Sequence, residues 1–193
     1  MKEKAWTKLR IVQEIINPIT DNSANSVILL DSILRQIEIS LLAGIDVLIN
    51  YSGRLTVIHK NERPGRNPKT GEDIPVTART VVSFTKKTNH HGIKKPKVSR
   101  SKIISSISEE LSDIPFIQVD TFVRSFFNLI AEVRTHGHRI EIRDFGVFSQ
   151  TFKEARSGRN PKTGDKVLIQ RKAYVHFKLG KGLSNSLNAA FPV

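Results

Sequence analysis

The chain has 193 residues, with 31 Lys and Arg against 18 Asp and Glu, a formal charge of +13, and no cysteine. The missing cysteine excludes disulfides, Cys-ligated zinc and thiol nucleophiles, and no apolar run approaches the roughly 18 residues of a bilayer span. Such a charge favours a polyanionic partner, either nucleic acid or an anionic membrane face.

In chain order, Met1-Lys2-Glu3-Lys4-Ala5-Trp6 has no apolar stretch behind it, so no secretory signal is expected. Leu9, Val12 and Ile16 suggest a first helix. Val27, Leu30, Leu34, Ile37 and Leu41 recur at helical spacing and mark a second, which Gly44 closes. Asp46-Val47-Leu48-Ile49 begins a sheet. A basic, polar stretch from Thr85 to Lys97 reads as a linker. Ile103, Ile104, Ile107 and Leu111 then give another helix, with Ser99 or Ser101 as N-cap. Pro115 interrupts, and Asp120 is expected to cap a longer helix carrying Val123, Phe126, Phe127, Ile130 and Val133 up to Gly137. His138 to Arg143 alternates polar and apolar residues as a half-buried strand does. Asp144-Phe145-Gly146-Val147-Phe148 turns into the next strand, and Gly180-Lys181 opens a short terminal helix.

The chain is duplicated. Gly65-Arg66-Asn67-Pro68-Lys69-Thr70-Gly71 recurs unchanged as Gly158-Arg159-Asn160-Pro161-Lys162-Thr163-Gly164, an offset of 158 − 65 = 93 residues. Gly53/Gly146, Arg63/Arg156, Val82/Val175 and Phe84/Phe177 keep that offset, so the β part repeats without a gap. Charge is shared: residues 1–97 carry 16 − 9 = +7 and residues 98–193 carry 15 − 9 = +6. Each half is small for a core of its own, so the halves are expected to share apolar surface with each other or with another chain. A Gly-bounded, basic, proline-tipped turn between strand-like runs is a protruding β-ribbon. A rigid apolar ring between cations is also the kind of wedge that minor-groove proteins push between base pairs.

These residues resemble the HU/IHF family of bacterial architectural, histone-like DNA-binding proteins, twice over. In the second half the likeness rests on Asp144 to Phe148, Lys153, Arg156, the Gly158–Gly164 turn, Phe177 and Gly180-Lys181-Gly182-Leu183; in the first, on Lys60, Arg63, the Gly65–Gly71 turn and Phe84. The resemblance implies an α+β fold of two repeats, each a helical body with a three-stranded sheet and a long β-ribbon arm, joined as a single-chain pseudo-dimer. It places the repeats at 1–87 and 99–193, with a basic linker at 88–98. It implies a cytoplasmic, nucleoid-associated protein that bends double-stranded DNA, with Pro68 and Pro161 as intercalating wedges. Lys60, Arg63, Arg66, Asn67, Lys69, Lys153, Arg156, Arg159, Asn160 and Lys162 then contact DNA, as does Lys181. Further homo-oligomers by swapping halves are the alternative assembly. The first copy departs from the pattern: Phe145 and Phe148 become Ser52 and Leu55, and a Gly-Lys-x-Leu terminal helix is missing. Its sheet-to-helix packing is therefore expected to be looser.

Other readings are weaker. Proline is common in ordinary turns, but at the centre of a duplicated basic motif Pro68 and Pro161 read as wedges. The Phe122/Phe126/Phe127 stripe is expected in the core rather than under bases, and Trp6 is expected to pack near the N-terminus. His90-His91 and His136-Gly137-His138 invite a metal, but no carboxylate cluster at ligand spacing is evident beside either, so no metal or cofactor is expected. Acids are scattered, Glu72-Asp73 has no obvious partner, and no triad or phosphate loop appears, so no enzyme is expected. A structured-RNA or ribonucleoprotein module using the same arms is the rival reading, followed by a DNA-processing enzyme.

Overall fold

The computed structural model describes residues 5–16, 23–49, 53–85 and 96–192. The first repeat runs β1 (Trp6–Thr7), α1 (Lys8–Ile11) continuing into a π-helical turn (Val12–Ile16), α2 (Ser23–Leu42), β2 (Asp46–Ile49), β3 (Gly53–Lys60), β4 (Arg63–Arg66), β5 (Asp73–Val76) and β6 (Arg79–Thr85). The second runs β7 (Lys97–Val98), α3 (Arg100–Glu110), α4 (Phe116–His136), β8 (Ile140–Ile142), β9 (Gly146–Lys153), β10 (Arg156–Arg159), β11 (Lys166–Ile169), β12 (Lys172–Leu179) and α5 (Lys181–Ala190).

Equivalent caps start α1 and α3. The hydroxyl of Thr7 accepts the Arg10 N–H, and that of Ser99 the Lys102 N–H, both at 3.4 Å. Helix α4 corrects the sequence reading. It begins at Phe116 with Pro115 as its N-cap, so Asp120 lies inside the helix, where its carboxylate accepts from Arg124 Nε at 2.7 Å. A proline fixes φ and needs no amide partner, which suits it to a helix start. The apolar face of α4 buries Val119, Phe122, Val123, Phe126, Phe127, Leu129, Ile130 and Val133. Leu9, placed on the apolar side of the first helix by its spacing, is instead 65% exposed.

The two body sheets have the orders β1-β8-β9-β12 and β6-β3-β2-β7. Each has four strands rather than the expected three, and the fourth is lent by the opposite repeat. Trp6 and Thr7 pair in parallel with Ile140 and Glu141. Reciprocally, Lys97 and Val98, assigned to the linker by the sequence, pair in parallel with Asp46 and Val47. Each loan covers a sheet edge that would otherwise expose unpaired amides.

The core is likewise common property. Leu29, Leu30, Ile33, Ile37 and Leu41 of the first repeat are as buried as Phe122, Phe126, Phe127 and Phe148 of the second, in one cluster. Arg35 of α2 meets Glu110 of α3 at 2.7 Å across the seam. Strands β6 and β12 come into contact, and α5 lies on β6 and α2. Phe145, Phe148 and Phe177 pack together with centroid separations of 4.6 to 6.5 Å. Phe84 of the first repeat adds an edge-on contact to Phe148 at 6.3 Å. In the first copy, Leu55 is fully buried where Phe148 has its counterpart, while Ser52 lies outside the described residues.

Candidate nucleic-acid interface

Each repeat extends an antiparallel ribbon, β4–β5 in the first and β10–β11 in the second. Both ribbons continue the long body strands after short unpaired breaks, at 61–62 and 77–78 in one and 154–155 and 170–171 in the other. The same break at the same offset follows from the duplicated sequence.

The two tips have one geometry. In the first, Asn67 N–H donates to Glu72 O at 2.9 Å and Gly71 N–H to Asn67 O at 2.8 Å; in the second, Asn160 N–H donates to Asp165 O at 2.9 Å and Gly164 N–H to Asn160 O at 2.8 Å. Gly71 and Gly164 lie at φ +75° and +77°, a left-handed conformation that glycine adopts without steric cost. The Asn67 side-chain oxygen accepts the Lys69 N–H at 3.0 Å, and that of Asn160 the Lys162 N–H at 2.9 Å. These bonds fix which end of each amide faces the turn. The turn consumes the oxygen and not the NH₂ group, a donor suited to the acceptors that line a minor groove. Pro68 and Pro161 follow the two asparagines, where no amide proton is needed, and both are exposed.

The expected cations distribute along these ribbons. Lys60 ends β3, Arg63 and Arg66 lie on β4 and Lys69 in the turn; Lys153 ends β9, Arg156 and Arg159 lie on β10 and Lys162 in the turn, all exposed. Arg66 Nε donates to Gly71 O at 2.6 Å, which ties the guanidinium to the tip. Lys153 Nζ sits 5.0 Å above the Tyr174 ring. Lys181 stands apart, on the body, as the first residue of α5. A side chain at Gly180, the N-cap of that helix, would place its Cβ 2.5 Å from Asp144 O, so the junction demands glycine.

Register adds cations that spacing alone missed. Lys60 pairs with Arg79, Lys153 with Lys172, and Arg159 with Lys166. Directly opposed side chains share a face of the sheet, and like charges there are destabilising. The first two pairs are equivalents of each other at the base of the two arms. Their signal in the sequence was present, since Arg79 and Lys172 also differ by 93, but only strand pairing shows which cation each one faces. Glu72 is engaged by Thr70 Oγ1 at 3.0 Å, and among the described residues it joins no catalytic grouping.

Comparison with known proteins gives the same duplication. The family described as bacterial DNA-binding protein matches residues 6–90 and again 98–188. The integration host factor subunit beta of Histophilus somni (strain 2336) is 36% identical over 91 residues, which are 47% of this chain and 97% of that protein. The same subunit of Salmonella arizonae is 41% identical over 91 residues, again 47% and 97%. Among solved structures, an Anabaena HU–DNA cocrystal chain is 24% identical, with a TM-score of 0.42, covering 50% of this chain and 100% of its own.

Proposed function

The chain belongs to the bacterial DNA-binding protein family, as a tandem fusion of two HU/IHF-like copies, and from that premise we propose that it bends double-stranded DNA as a single-chain pseudo-dimer. The two ribbons pass along the minor groove, and Pro68 and Pro161 enter between base pairs and kink the duplex. The repeats are assigned to 1–87 and 99–193 with the basic segment 88–98 between them, and the last two residues of that segment, Lys97 and Val98, form β7 and dock on the first repeat's sheet. The protein works in the cytoplasm on the nucleoid and performs no chemistry.

One observation carries this reading. Two identical exposed tips stand on ribbons whose bases oppose cation to cation, Lys60 to Arg79 and Lys153 to Lys172. Like charges held face to face weaken the free protein and become favourable only beside a polyanion. Phosphate neutralisation then supplies affinity, and log K falls with log salt at about −0.9 per phosphate engaged, with roughly 8 to 12 engaged. Smooth bending of a short site costs about 1–6 kcal/mol, offset by the extra phosphates that a bent duplex brings to the body. Specificity comes mainly from deformability, because minor-groove edges carry a degenerate code.

A competition assay tests it. The full chain is offered a nicked or gapped DNA duplex and an A-form RNA duplex of equal length. Preference for the deformable DNA is expected. Equal or tighter binding to the RNA would transfer the arms to the structured-RNA reading.

A further inference from the structure

We propose that Glu132, His136 and His138 form a surface site for a divalent cation of the zinc, nickel or copper class. Their donor atoms lie within 4.8 Å of one another. The sequence showed no acid cluster beside the histidines, but Glu132 is one helical turn before His136, so both side chains leave the same face of α4. The helix ends at His136. Gly137 then takes φ 75°, with its N–H on Val133 O, and turns the chain back. That reversal stacks the His138 ring on the His136 ring, with centroids 5.4 Å apart and planes 20° from parallel.

Two imidazoles and a carboxylate suit borderline metals and not calcium or magnesium, which prefer all-oxygen shells. Metal–ligand bonds of about 2.0–2.2 Å require the three donors to draw together. Glu132 and His136 are exposed and His138 half-buried, and His136 Nδ1 already meets Thr135 Oγ1 at 3.1 Å, so the ion would be taken at the other ring nitrogen as the exposed side chains turn inward. The neighbouring Arg139 has its charge engaged by Glu141 at 3.2 Å. Three protein ligands leave a coordination position open for water or an outside ligand.

Trp6 is the single tryptophan of the chain, and its ring stands edge-on to His138 at 6.0 Å. It reports on the site from the other repeat. Nickel titrated into the full chain near neutral pH is expected to quench Trp6 fluorescence saturably, at one ion per chain, with recovery on adding EDTA and competition by zinc. Glu132→Gln weakens the effect by about tenfold or more, and His136→Asn abolishes it. Both positions are exposed, so the variants keep the far-ultraviolet circular dichroism of the parent. His176→Ala, a surface histidine elsewhere, leaves the titration unchanged. The proposal is overturned if no saturable quenching occurs up to millimolar nickel, or if it persists in His136→Asn.

Discussion

Asn188 of α5 accepts the backbone N–H of Thr80, in the other repeat, at 2.9 Å. Thr80 is only 1% exposed, and Phe191, just beyond α5, packs on His59 with ring centroids 5.2 Å apart. The residue equivalent to Thr80 at an offset of 93 is Ala173, and there the arrangement differs. Ala173 lines an open groove of about 380 Å³ with Phe84, Arg134, Lys172 and Tyr174. The exchanged strands and the arm tips repeat, whereas the contact of α5 on Thr80 has no counterpart at Ala173 among the described residues. Asn188→Ala strands a buried amide, for which the usual cost is about 1–3 kcal/mol. Denaturant unfolding should show that loss, whereas Ala173→Ser should change stability by less than about 0.5 kcal/mol.

Because the core is shared, the repeats should not melt separately. Phe148 is fully buried against Phe84, Phe145 and Phe177. Phe148→Ala is expected to cost about 3–5 kcal/mol, within a single transition for both repeats. Two resolved transitions, by calorimetry or by fluorescence against circular dichroism, would contradict a common core.

The opposed cations make a prediction with two signs. Arg79→Ala or Lys172→Ala relieves repulsion against Lys60 or Lys153. The free protein should be unchanged or slightly more stable, by a few tenths of a kcal/mol. DNA binding should nevertheless weaken, and the slope of log K against log salt should become shallower by about 0.9 for each phosphate no longer neutralised. Thermal melts and titrations at several salt concentrations measure both effects. An unchanged slope would remove these residues from the interface.

Much of the architecture was legible because it rested on local signals repeated at one offset. The α4 stripe, the Ser99 cap, the glycine turns and the proline tips each follow from spacing or backbone preference within a few residues. What escaped depended on distant partners. Trp6–Thr7 and Lys97–Val98 are too short for any periodicity, and they become strands only against Ile140–Glu141 and Asp46–Val47 of the other repeat. The opposed cation pairs needed the register. Asp120 has the side chain of a cap, but Pro115, which needs no amide partner, starts the helix one turn earlier. Glu132 escaped because a one-turn spacing to His136 matters only once Gly137 folds His138 back over it.

The most direct test of the account is end-to-end energy transfer on a short duplex labelled at both ends, at saturating protein, for the parent chain and for the Pro68→Ala/Pro161→Ala double variant. One parent chain per duplex should bring the ends together strongly. The double variant should still bind but leave the ends clearly further apart. Equal transfer from both proteins, or no change from free DNA with the parent, would contradict the claim that this chain kinks DNA with its two proline tips.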